Sequence, residues 1–137
     1  MPRKLFAAGL LLSFLVAAPA CKKDDLVNET TSEIDSLADE MVKAITSADD
    51  KKQGVADAQK LLDAKKGDLG PKMAEMGELR GFQVSEDVAA AMTSSLAGSV
   101  LEVESLKINL MSETMKDPEL AAALDKLTGD FTGMLTP

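Results

Sequence analysis

The stretch from Ser85 to Lys116, SEDVAAAMTSSLAGSVLEVESLKINLMSETMK, decides the fold class. Ser85 is a residue type that caps helix N-termini. Glu86 and Asp87 follow it in the first turn, where the positive end of the helix dipole favours carboxylates. Apart from Gly98, nothing before Pro118 interrupts the helical pattern, and two apolar stripes run along it. One holds Val88, Met92, Leu96, Ser99, Val103, Leu106 and Leu110, and the other Ala97, Leu101, Ile108, Met111 and Met115. A helix that is apolar on two sides has to be covered on two sides. This predicts the central helix of a bundle. The small-residue patch from Thr93 to Ser99, with Gly98 inside it, predicts a close helix crossing or a kink.

The flanking segments repeat the helical pattern. Thr30-x-x-Glu33 forms a capping box ahead of residues 31–48. Ile34, Leu37, Ala38, Met41, Ile45 and Ala48 then make one apolar stripe. Asp50-x-x-Gln53 offers a second box, and Val55, Ala58, Leu61 and Leu62 carry a helix over 51–66. Lys65 and Lys66 in its last turn and Gly67 beyond them read as its end. Gly70-Pro71 then opens a short third helix with proline in its first turn. Leu69, Met73 and Met76 give that helix a narrow apolar edge before Arg80-Gly81 stops it. Asp117-Pro118-Glu119 restarts the chain as cap and first turn, and Leu120, Leu124, Leu127 and Phe131 form the last amphipathic helix, to about Phe131. Gly133 to Pro137 is expected to fray. The fold class is therefore all-α, a small antiparallel bundle of four to five helices with short connections.

Composition agrees. The chain has no His, Trp or Tyr, and only Phe82 and Phe131 among aromatics beyond residue 20. Its core has to come from Leu, Val, Ile, Ala and Met, which favours helix over sheet. The net charge of −8 becomes −10 once residues 1–20 are set aside, because Arg3 and Lys4 are the only charged residues there. Such a surface repels phosphates and anionic headgroups, so no nucleic-acid partner is expected, and membrane attachment needs another source.

That source lies in residues 1–21. Met1-Pro2-Arg3-Lys4 is a short basic segment, and Leu5 to Ala18 is a run of apolar or small residues. As helix the run rises about 21 Å, too short for a comfortable span of a roughly 30 Å hydrocarbon core. The pattern is that of a cleavable export signal over residues 1–20. At Ala18-Pro19-Ala20-Cys21 the sequence resembles the lipobox of bacterial lipoproteins. The resemblance implies that the Cys21 thiol receives a diacylglyceryl group and that cleavage falls between Ala20 and Cys21. Ala18 stands where that family usually has Leu. Ala18-x-Ala20 also fits the peptidase that releases soluble exported proteins, which would cut at the same bond. The family usually adds several acyl chains, which anchor durably where a single one holds marginally. Lys22, in place of the Asp that retains enteric lipoproteins at the inner membrane, favours the outer membrane. The expected organisation is a signal peptide over 1–20, lipidated Cys21 with a polar tether over 21–30, and a helical bundle over 31–137.

Chemistry is sparse in the rest. Without histidine, the commonest general base and metal ligand is missing, and neither a di-iron helical site nor a Ser–His or Cys–His nucleophile can be assembled. Glu104 interrupts the second stripe between Leu101 and Ile108, with Lys107 placed to pair with it. No catalytic residue, metal site or cofactor is assigned, and an enzyme is not expected. Met73-x-x-Met76 and Met111-x-x-x-Met115 are soft-ligand pairs that would suit Cu(I), and at the same positions ordinary core residues. The leading expectation is a non-catalytic interaction or structural protein of the envelope, held to the membrane by lipid on Cys21, with another envelope protein as partner. The alternatives are a carrier for a small ligand or Cu(I), or a helical chaperone-like factor. The periplasmic chaperone family of that kind carries a Leu-Thr-x-x-Gln motif that is absent here.

Overall fold

The computed structural model describes residues 20–81 and 83–136. Five helices follow one another: α1 (Ala20–Thr46), α2 (Lys51–Gly77), α3 (Glu86–Asn109), the single turn α4 (Met111–Thr114) and α5 (Pro118–Leu135). The fold is an all-α bundle, as the apolar stripes predict.

Three of the helix starts are set by side chains. Asp50 accepts hydrogen bonds from the N–H groups of Lys52 and Gln53 (2.9 and 3.3 Å). Ser85 accepts from Val88 N–H at 3.4 Å, and Asp117 from Glu119 and Leu120 N–H at 3.1 and 3.2 Å. Each satisfies donors that have no partner within the helix. The second capping box is only half formed, because the Gln53 amide donates to Asp57 instead of returning to the cap.

Four long helices form a ring in the order α1, α2, α5, α3, with α1 opposite α5 and α2 opposite α3. Polar contacts fix their directions. Lys23 meets Glu75 at 2.6 Å and Lys72 meets Glu33 at 2.7 Å, so α1 and α2 are antiparallel. Ser85 N–H donates to Asp24 at 2.8 Å, and Ser95 and Ser99 donate to Asp35, so α1 and α3 run parallel. Lys52 joins Asp117 and Glu119 at 2.9 and 2.8 Å, placing the starts of α2 and α5 side by side. The start of α3 thus lies diagonally across the bundle from the end of α2. Successive helices alternate in direction, while two of the four packed pairs are parallel.

The core is Ile34, Leu37, Met41 and Ile45 of α1, Val55, Leu62 and Leu69 of α2, Val103 and Leu106 of α3, and Leu120, Leu124, Leu127 and Phe131 of α5. Phe131 is its one aromatic side chain among the described residues. With 18 residues against the 27 of α1 and α2, α5 is about 13 Å shorter. The pole holding the start of α1 is therefore built from three helices, α1, α2 and α3.

Five expectations are corrected. The polar tether expected over 21–30 is helical and continuous with the rest of α1. Val27 is buried and Thr30 lies inside the helix with its hydroxyl unpartnered, so no capping box forms there, and Glu33 serves Lys72 instead. The helix does not stop at Gly67, because α2 runs through Pro71 to Gly77. An interior proline costs roughly 3 kcal/mol. Burial of Leu69 and Met73 on the same face, together with Leu62, favours continuing the helix past it. The expected single helix from Ser85 to Lys116 breaks at Leu110, whose backbone leaves helical geometry (φ −102°, ψ 14°) while its side chain is buried. Finally, Gly98 marks no close crossing, since a Cβ there would meet nothing within 4 Å.

Candidate functional site

The first turn of α1 carries Ala20 and Cys21, at the three-helix pole. Of the signal peptide expected over residues 1–20, residues 1–19 lie outside the described residues. The Lys23–Glu75 pair and the Asp24–Ser85 hydrogen bond tie the segment just after Cys21 to α2 and to the start of α3. Between these elements lies a cavity of about 350 Å³ lined by Val27, Met76, Leu79, Val84, Ala89 and Met92, with Arg80 and Glu86 among its walls.

The methionines do not converge. Met73 is buried in the core and Met76 borders the cavity with Met92. Met111 and Met115 lie past the far end of α3, whose 24 residues span about 36 Å. The two pairs, Met73/Met76 and Met111/Met115, thus belong to opposite poles of the bundle.

Carboxylates gather without a lysine or arginine beside them where α1 meets α3. Asp35, Asp39 and Glu102 line a shallow groove of about 340 Å³ with Ser95, Gly98 and Ser99. Asp35 accepts both serine hydroxyls. Glu102 is pushed above the ordinary glutamate value by partial burial, by the Asp39 charge and hydrogen bond, and by the Asp35 charge. No basic side chain faces these groups in the groove. Elsewhere, Lys72 is raised by its hydrogen bond to Glu33 and Lys107 by its hydrogen bond to Asp125. An amine nucleophile needs the opposite shift. Glu104 is half-exposed and pairs with Lys107 at 3.6 Å, as its spacing predicts, and Lys107 also reaches Asp125 of α5 at 3.2 Å. Among the described residues no group of three or more His, Cys, Asp or Glu could hold a metal ion, and no helix is long and apolar enough to cross a membrane.

The most distinctive feature of the surface is the second apolar set, on α3 and the turn that follows it. Sequence reasoning expects it covered, yet Leu101 is 70% exposed, Ile108 71%, Met111 52% and Met115 80%. The reason is the ring arrangement. α1 and α5 both pack on the face carrying Ser99, Val103 and Leu106, and at about 100° per residue Leu101 and Ile108 point the opposite way. The stripe is legible in the sequence, but periodicity marks a face as apolar without saying whether this chain covers it. Asp35 carries no sequence signal for its role, because the two serines that meet it are some 60 residues away.

Comparison with known protein families, with curated proteins and with solved structures finds no significant match to this chain.

Proposed function

We propose that the protein is a bacterial envelope lipoprotein, anchored through lipid on Cys21, that acts without catalysis by holding another protein against the outer face of α3 and α4. The observation that carries this reading is the exposure of four large apolar side chains, Leu101 and Ile108 of α3 and Met111 and Met115 just after it, in an otherwise acidic domain. Single exposed apolar residues are ordinary, whereas a contiguous set is characteristic of a contact surface. Support for the anchor comes from the lipobox-like Ala18-Pro19-Ala20-Cys21 and from Cys21 being the sole cysteine. Lys22 favours the outer membrane.

Two measurements test it. Intact mass of the protein extracted from membranes should show loss of residues 1–20 and added diacylglyceryl and acyl mass on Cys21; cleavage without added lipid would overturn the anchor. Photo-crosslinkers replacing Leu101 or Ile108 should give a discrete protein adduct in intact cells, and one at exposed Lys60 of α2 should not. The absence of any adduct specific to the stripe would sink the contact surface.

A further inference from the structure

The cavity at the three-helix pole lies beside the one residue of the chain read as lipid-bearing. Cys21 is in the first turn of α1, and Val27, six residues on and about 9 Å along the same helix, forms part of the cavity wall. Two links hold this part of α1 in place, and each lands next to another wall residue. Lys23 pairs with Glu75, the neighbour of Met76, and Asp24 accepts from the N–H of Ser85, the neighbour of Val84. Because the helix is continuous from Ala20, no flexible spacer separates Cys21 from the cavity.

The walls define what fits. They come from α1, α2, α3 and the connection between α2 and α3, and they are mainly apolar. Met76 and Met92 contribute unbranched, adaptable side chains, which suit a ligand with no fixed shape. At the ~30 Å³ that a water-sized group takes, about 350 Å³ holds about a dozen methylene-sized groups, enough for most of one acyl chain but not two. Arg80 and Glu86 both stand among the walls. A diffusing fatty acid brings its carboxylate to Glu86 as well as to Arg80, in a chain of net negative charge. An ester- or amide-linked chain is neutral and meets no such repulsion.

We infer that this cavity is a binding site for one acyl chain, and that its occupant is a chain of the lipid on this protein's own Cys21. The inference rests on the reading of Cys21 as lipidated and gives that lipid a second destination. Moving a chain from bilayer to cavity exchanges one apolar surrounding for another, so the balance turns on two other effects. Water in an apolar cavity finds few hydrogen-bond partners and is readily displaced. A chain joined to Cys21 is also present at the high effective concentration of a short link, which a separate lipid lacks. The remaining acyl chains stay in the bilayer, and the three-helix pole is held against the headgroups.

The test uses the full chain in intact cells, with a photoreactive residue in place of Met92 and, in a second form, in place of Leu79 on another wall. Ala90, exposed on the same turn of α3, is the control position. After irradiation and proteolysis, mass spectrometry follows both the probe peptide and the N-terminal lipopeptide. The expected product is the probe peptide joined to the acyl group of the Cys21 lipopeptide, several-fold more abundant from position 92 or 79 than from position 90. A probe joined instead to a phospholipid or a free fatty acid overturns Cys21 as the source of the chain. Equal capture of the lipopeptide from position 90 overturns the cavity as its seat. Lipid mass on Cys21 with no acyl adduct at 92 or 79 overturns the inference and leaves the anchor standing. A mature chain that carries no lipid on Cys21 overturns the anchor and the inference together.

Discussion

Gly54 of α2 lies so close to Ile45 of α1 that a Cβ on Gly54 would stand 2.9 Å from the Ile45 Cα. The Ala44 carbonyl oxygen and the Ala48 Cβ would be equally near. Two of these three atoms are backbone and cannot move aside, so the α1–α2 joint closes only because residue 54 has no side chain. Gly54→Ala should therefore destabilise the protein by about 1–3 kcal/mol, despite alanine's better helix propensity. At Gly67, on the same helix, a Cβ would meet nothing within 4 Å. There the same substitution should stabilise by about 0.5–1 kcal/mol. Chemical denaturation of both variants checks the pair, and equal signs would disprove the packing argument.

Pro71 offers a related case. It sits inside α2 between Leu69 and Met73, both buried. Replacing it with alanine restores a backbone donor within the helix and should raise stability by about 1–3 kcal/mol. A lowered midpoint in urea would show that the local bend is needed for the packing of Leu69 and Met73.

Asp117 has two roles, as cap of α5 and as partner of Lys52 in α2. The cap matters more, because the ion pair is solvent-exposed and screened. Asp117→Ala should lower Tm by about 3–6 °C, and Lys52→Met by roughly 1 °C or less. The lysine holds the Asp117 carboxyl below its ordinary value of 3.8, with help from the Leu120 N–H. The stability it adds is thus present above that pH and is lost as pH falls through the depressed value. Thermal melts of both variants at neutral and acid pH separate the contributions.

Glu102 behaves in the opposite sense. Its pKa is raised above 4.5 by partial burial and by Asp39 and Asp35. The folded state favours the protonated form, so its contribution is fully present below about pH 4.5 and fades as pH rises through the raised value. At pH 7 the ionised group opposes the approach of α1 and α3. Glu102→Gln should then raise Tm at pH 7 by about 1–2 °C and leave it nearly unchanged at pH 4. An equal shift at both pH values would exclude electrostatic repulsion as the cause.

The sequence carried most of the fold in its caps and stripes. Asp50, Ser85 and Asp117 are where their side-chain chemistry places them, and the stripes through Ile34 to Ile45 and Leu120 to Phe131 became core. What was missed depends on contacts far apart in the chain. Thr30-x-x-Glu33 has the form of a capping box, yet packing of Val27 continues the helix below it. Gly67 carries a stop signal and Gly70-Pro71 a start signal, and burial of Leu69 and Met73 overrides both. Gly54 carries no stop or turn pattern, because the need for it comes from Ala44 and Ile45 on another helix. The candidate contact surface was half legible, since the pattern of Leu101, Ile108, Met111 and Met115 was plain while its exposure depended on where α1 and α5 settle.

The unbroken course of α1 also has a mechanical side. A flexible leader would absorb a tug before the bundle felt it, but a load applied at Ala20 enters a hydrogen-bonded rod that runs to Thr46. Pulled along its axis, that rod shears against α2 and α3, and the first links strained are Lys23–Glu75 and the Asp24–Ser85 hydrogen bond. Shear spreads force over many contacts at once, whereas peeling breaks them one at a time. The helix therefore makes the domain stiff toward axial tension and compliant toward sideways bending at its first turns.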